Sequence, residues 1–311
     1  MKLLATTVGL LRSSEYDRAK IKESIEALFS ALAFSLRPGD RVLLKPNLIA
    51  AQRKDGLACT HPNVIAAVAE WCLDHGAHLC IGDSPAFGSA RGVMEALGIT
   101  DALRGMPITL MNFDQPCRVR LASGIEVALA VPALECDVLI NLPKVKAHSQ
   151  LLVTLAVKNL FGTVVGMRKA WYHVQFGNRP ERFTELLVDL LAVLPAGVTV
   201  VDGIVAMHET GPLKGKPFSL GVLAGSVNPV ALETAMMKIL GLAPDRNYIL
   251  RECVRRKLAG TDFADITYPL LSPAEVKSEG FLVPKNLQSV SFNPCRMAAS
   301  AIKRVVLSLT G

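Results

Sequence analysis

Three lysines, two aspartates and a histidine stand directly behind short apolar runs. Lys45-Pro46-Asn47 follows Val42 to Leu44, Gly82-Asp83-Ser84-Pro85 follows Leu79 to Ile81, and Asp202-Gly203 follows Val198 to Val201. The longest such cluster, Asn141 to His148, follows Val138 to Ile140 and holds Lys144, Lys146 and His148. Lys45, Lys144 and Lys146 supply charge for a carboxylate or phosphate, and Asn47, Asp83, Ser84, Asn141 and Asp202 add hydrogen-bonding groups around it. His148, His173 and Lys158 are the acid-base candidates. Imidazole titrates near neutrality, at about 6.5 in reference peptides, and neighbouring lysines lower that value further. Lys158 precedes Asn159-Leu160-Phe161-Gly162 at the end of an amphipathic run from Leu151. An ammonium there either complements a helix dipole or, desolvated in a cleft, gives up its proton more readily.

Other chemistries have weaker support. His61, His148, His173 and His208 fall in predicted loops and are compatible with a bound metal, but no two of them have the i, i+4 spacing of a helical metal site. The seven cysteines form no Cys-x-x-Cys pair, so no iron-sulfur cluster is expected and a reducing, cytoplasmic setting is the simplest reading. Walker, Gly-x-Gly-x-x-Gly and Gly-x-Ser-x-Gly frames are absent, so the cofactor stays unknown. With 34 Lys plus Arg against 27 Asp plus Glu, the formal charge is +7. That surplus favours anionic partners. The charge is scattered and aromatic content is only 5%, which points to a small anionic metabolite and not to nucleic acid. No run of about 18 apolar residues predicts a membrane span, and the opening residues carry no cleavage pattern of a signal peptide. The chain allows a homodimer.

These residues need a scaffold that brings strand ends together. Half of the 311 residues are apolar, enough for a sizeable core. Strand-like runs at Lys2 to Leu10 and Arg41 to Leu44 bracket a helical pattern at Arg18 to Phe34, and a helix from Pro62, with Thr60 as its cap, leads into a strand at Ala77 to Ile81. Further strands are expected at Ile108 to Asn112, Arg118 to Leu121, Val127 to Val131, Val138 to Asn141, Val198 to Val201 and Leu220 to Ala224. This rhythm predicts an α/β fold: a mostly parallel twisted sheet with helices on both faces and some antiparallel edge strands, the Ser123-Gly124 hairpin supplying an edge piece. Two lobes with a cleft between them, 1–135 and 136–311, are expected. In such sheets ligands bind beyond the carboxyl ends of the strands, so the clusters should converge.

The ordered blocks Lys45-Pro46-Asn47, Thr60-His61-Pro62, Gly82-Asp83-Ser84-Pro85, Asn141-Leu142-Pro143-Lys144, His148, Val157 to Gly162, His173, Val201-Asp202-Gly203-Ile204, Gly211-Pro212 and Asn228 to Leu232 resemble domain-of-unknown-function family 362 across residues 40 to 240. Many members append a ferredoxin-like module with clustered cysteines, which this chain lacks. The family's usual Asp-Pro-Val-Ala block begins here with Asn228. The layout is also distantly similar to the nickel-pincer lactate racemases. The resemblance implies the fold. The residues themselves favour an enzyme of isomerase, racemase or lyase type, with a metal- or cofactor-dependent oxidoreductase and a non-catalytic binding or scaffold protein as alternatives.

Overall fold

The computed structural model describes residues 5–51, 56–165, 172 and 180–287. His173 and most of the Gly162 to Arg182 loop lie outside the described residues.

Eleven strands appear among the described residues: β1 (Gly9–Arg12), β2 (Arg41–Pro46), β3 (His78–Asp83), β4 (Ile108–Asn112), β5 (Pro116–Arg120), β6 (Glu126–Ala130), β7 (Val138–Leu142), β8 (Lys144–His148), β9 (Leu152–Thr154), β10 (Gly197–His208) and β11 (Lys216–Ser226). Nine of them build one sheet in the order β1-β11-β10-β7-β2-β3-β4, with β8 also paired to β10 and β9 to β8. The β10-β7, β7-β2, β2-β3, β3-β4 and β10-β8 pairings are parallel. The antiparallel edge is made by β11 and β1. This corrects the expected edge piece: the Ser123-Gly124 hairpin joins β5 and β6 into a separate two-stranded sheet.

The helices are α1 (Arg18–Ala31), α2 (Pro62–Asp74), α3 (Ala90–Ala96), α4 (Ile99–Ala102), α5 (Val131–Glu135), α6 (Ala156–Asn159), α7 (Pro180–Val193), α8 (Pro229–Ile239), α9 (Tyr248–Arg255) and α10 (Pro273–Val276). They cover both faces of the sheet. Val42, Leu44, Ile140, Leu142 and Val200 pack with α1 to α4, whereas their neighbours Leu43, Leu139 and Val201 pack with α6 to α9. That alternation is the period of two that a strand buried on both sides requires. The cap of α2 is also corrected. His61, not Thr60, is its N-cap, and the His61 Nδ1 accepts from Asn63 N at 3.1 Å.

Where β10 meets β7, the chain depends on a missing side chain. A Cβ on Gly197 would stand 1.9 Å from the Leu139 carbonyl oxygen. Gly197→Ala must push the two strands apart, and we expect it to cost on the order of 1–3 kcal/mol, as overpacking does. Denaturant unfolding of the variant against wild type measures the loss.

Candidate functional site

Lys45 closes β2 one residue before its end, and its side chain is wholly buried. Its Nζ lies 3.0 Å from Asp83 Oδ1, at the end of the adjacent strand β3, and donates to the Pro46 carbonyl at 3.0 Å. Asp83 also accepts from Leu48 N at 2.8 Å and Ser84 N at 2.9 Å. Burial lowers the Lys45 pKa, and the Asp83 carboxylate opposes that shift. Gly162 roofs the pair: a Cβ there would fall 2.0 Å from Asp83 Oδ1 and 2.3 Å from Lys45 Nζ.

A second pair sits between β8 and β10, where Lys144 is in register with Asp202. Lys144 Nζ is 2.9 Å from Asp202 Oδ2 and donates to Tyr16 Oη at 2.6 Å. The Tyr16 hydroxyl donates to Asp202 Oδ1 at 2.9 Å and accepts from Val205 N at 3.1 Å. Burial, with Asp202 adding to it, raises the Tyr16 pKa and keeps the phenol protonated. His61 stacks on Tyr16 with ring centroids 3.6 Å apart. Burial pushes the His61 pKa down to about 4, so its imidazole is neutral at physiological pH. Its backbone N donates to Asp202 Oδ2 at 3.0 Å.

The third lysine is held differently. Lys146 is 1% exposed, and its Nζ donates to the Asn47 Oδ1 and, at 2.8 Å, to the Ala58 carbonyl. Both acceptors are neutral. Burial lowers its pKa to about 8, with Cys59 and Asp83 opposing and Lys144 and Lys45 reinforcing. From Lys146 a chain of amides runs inward. Asn47 Nδ2 donates to Asn159 Oδ1 at 2.7 Å, and Asn159 Nδ2 donates to Asn141 Oδ1 at 2.8 Å. Asn141 Nδ2 ends the chain on the Ala156 carbonyl at 2.9 Å and Thr199 Oγ1 at 3.3 Å.

Lys144, Lys146 and His148 lie on the strand β8, which corrects their placement in a loop. Strand alternation puts the three side chains on one face, opposite Val145 and Ala147. His148 is buried, and its Nδ1 accepts from Gln150 N at 3.1 Å and Leu151 N at 3.3 Å, bracing the turn into β9. A neutral ring that accepts at Nδ1 carries its proton on Nε2. Burial, then Lys158 and Lys146, hold the His148 pKa well below the ordinary value. Lys158 stands on α6 with Nζ 4.4 Å from the Phe161 ring centroid and 5.0 Å from that of Phe183.

His208 ends β10 in other company. Its Nδ1 accepts from Leu282 N at 3.4 Å, and its ring lies 5.0 Å from Phe218. Among the described residues, no three His, Cys, Asp or Glu side chains group as a metal-binding set. Glu233, on α8, escaped the sequence reading. Its buried Oε2 accepts from Val157 N at 3.2 Å at the start of α6, and its Oε1 accepts from Asn247 Nδ2 at 3.1 Å. Tyr16 escaped it too: it comes 186 residues before its partner Asp202, beyond any local pattern.

The model of the domain of unknown function DUF362 matches residues 42–238, a span that holds every strand-end cluster described above except Tyr16. The chain belongs to the DUF362 family. A thylakoid-associated protein of Synechocystis sp. is 36% identical over 304 residues, covering 96% of this chain and 94% of the relative. Two solved structures align with it more distantly. The lactate racemase apoprotein from Thermoanaerobacterium thermosaccharolyticum aligns at TM-score 0.44 and 14% identity, over 73% of this chain and 56% of that one. A protein from Thermotoga maritima aligns at 0.42 and 13%, over 67% of this chain and 55% of its own. No helix among the described residues is long and apolar enough to cross a membrane.

Two outcomes follow from the buried charges. Lys45→Met and Asp83→Asn should each destabilise strongly, and a double-mutant cycle by urea unfolding should give a coupling energy of about 1–3 kcal/mol. The second outcome concerns Glu233, whose pKa burial raises from 4.5 to about 7. As pH rises from about 4.5 to 7, the unfolded chain releases this proton while the folded chain keeps it, so the stability that Glu233 contributes is lost across that window. Unfolding free energies measured at several pH values should show a flatter slope there for Glu233→Gln than for wild type.

Proposed function

We propose that this chain is an enzyme that binds a small anionic metabolite at Lys146 and moves a proton on it. The observation that carries the reading is the state of Lys146: a buried ammonium held by two neutral carbonyl oxygens, while Lys45 and Lys144 each have a carboxylate. A buried cation without a counter-ion is costly, and an anionic ligand offsets that cost. Thr154 supports the same reading. It faces Lys146 across the β8-β9 pair, and its buried hydroxyl has no hydrogen-bond partner among the described residues. Residues directly opposite on such a pair share a face.

In this proposal Lys146 anchors the anion and Asn47 and Thr154 orient it, with Lys45-Asp83 and Lys144-Asp202 as the rigid frame. His148 donates from Nε2, because its Nδ1 is occupied by two backbone N–H groups. Lys158, on α6 beside the Phe161 and Phe183 rings, is the base in its neutral amine form, the form whose nitrogen has a lone pair to take the proton. The reaction class is proton transfer at carbon, as in an isomerase, racemase or lyase. We place the protein in the cytoplasm; the name of the Synechocystis relative ties that protein to thylakoids, and cell fractionation distinguishes the two locations.

The test is deuterium wash-in. Small carboxylates with a hydrogen beside the carboxyl carbon are incubated with the protein in D2O and followed by NMR. At least one should exchange, and His148→Gln should slow that exchange by roughly 10²-fold or more, on the scale of general acid-base catalysis. Lys146→Met should raise KM most. Because the anion needs the protonated amine, wild-type affinity should fall as pH rises through about 8. Exchange that survives in His148→Gln sinks its role as donor, and an affinity that is level across that pH range sinks Lys146 as the anchor.

A further inference from the structure

A cavity of about 470 Å³ opens at the other end of β10, where its first residues, Gly197 to Thr199, run beside β7. Its volume falls in the range of small-molecule sites. Leu139, Leu160, Leu191, Leu194 and Leu258 are among the apolar residues of its wall. The polar side chains lining it are those of Asn141, Thr199 and Asn228, and none of its lining residues is charged. Asn228 is committed elsewhere: it caps α8 and donates to the Ala259 carbonyl. Thr199 is not. Its Oγ1 accepts from Asn141 Nδ2 at 3.3 Å, and its own proton goes to no acceptor among the described residues.

The cavity therefore differs in kind from the lysine site. An aliphatic wall with no ion in it rejects a charged guest, because a carboxylate buried there would lose its hydration with nothing to replace it. It accepts an aliphatic body whose single oxygen receives the Thr199 proton. The two sites share Asn141, which lines the cavity and also ends the amide chain from Lys146. A hydroxyl that donates its proton becomes a better acceptor, since hydrogen bonds in series polarise one another. An oxygen on Thr199 thus tightens Asn141 on Thr199, then Asn159 on Asn141 and Asn47 on Asn159.

We propose that this cavity is an effector site for an uncharged amphiphile, a molecule with an aliphatic body and one hydrogen-bonding end, and that its occupancy is read at Lys146 through Asn141, Asn159 and Asn47. The inference does not rest on the reaction proposed for the lysine site.

The probe is 1-octanol, with octanoate as its charged counterpart, titrated into the full chain by calorimetry. We expect saturable one-to-one binding of octanol and at least tenfold weaker binding of octanoate. Thr199→Val should weaken octanol about threefold to tenfold, the worth of one hydrogen bond. Ala192→Trp, a substitution at an exposed position on the cavity rim, should abolish binding while leaving the thermal unfolding of the unliganded protein unchanged. The side-chain amide NMR signals of Asn141, Asn159 and Asn47 should shift with octanol in wild type and stay fixed in Ala192→Trp. No saturable binding, or binding that Ala192→Trp leaves intact, overturns the site. Octanoate binding as tightly as octanol overturns the ligand class. Unmoved Asn159 and Asn47 signals in the octanol-bound protein overturn the coupling to Lys146.

Discussion

An ammonium carried out of water must meet a carboxylate or a set of neutral acceptors, and among the described residues four lysines are buried: Lys45, Lys144, Lys146 and Lys158. Two are answered by carboxylates on neighbouring strands, Asp83 and Asp202. Lys158 lies over two phenyl rings, and Lys146 meets carbonyl oxygens. Each answer fixes part of the backbone. Asp83 must stand at the end of β3 with Leu48 and Ser84 folded back onto it, and Gly162 must have no side chain so that the chain can pass over the pair. Asp202 must be opposite Lys144, which sets the register of β8 on β10.

The parallel sheet meets these demands because β10 is long. Its first residues pair with β7 and its later ones with β8, and the Pro143 carbonyl between them accepts from Asp202 N at 2.9 Å. β7 and β8 therefore line one edge of β10 in succession, and the amides of Asn141, Asn159 and Asn47 pass beneath the join. Glu233, on the neighbouring helix α8, secures the start of α6, so the helix that bears Lys158 and Asn159 is held at its first turn as well as through its side chains.

Much of this could be read in the chain. The apolar runs ending in Lys45, Asp83 and Asn141 were legible as parallel strand ends, because burial on both faces leaves an unbroken apolar run and the polar residue marks where it stops. The strand β8 was harder. Lys144-Val145-Lys146-Ala147-His148 alternates polar and apolar in the period of a strand, but two lysines and a histidine after a proline read first as a polar loop. That alternation was the available signal, and it places all three polar side chains on one face. The chemistry of each lysine was less legible than its position. Lys45 and Lys146 are both lysines after or within strands, and only the contacts from β3 and from Asn47 separate an ion-paired group from one held by carbonyls. Tyr16, Glu233 and the cavity wall come together from distant segments, and no local pattern marks them.

The edge of the sheet has a consequence for synthesis. β1 pairs with β11 through Gly9 and Gly225, and Val8 N reaches the Thr267 carbonyl at 2.9 Å. At roughly 5–20 residues per second on the ribosome, the first strand waits on the order of 10–40 seconds for its partner to be made. Throughout that interval Leu10 lacks its β11 neighbour Ala224 and Val8 lacks its bond to Thr267, though both side chains are buried in the finished core. Until β11 is made, the nascent chain thus carries an apolar segment with an unpaired edge, which is the kind of surface that chaperones bind.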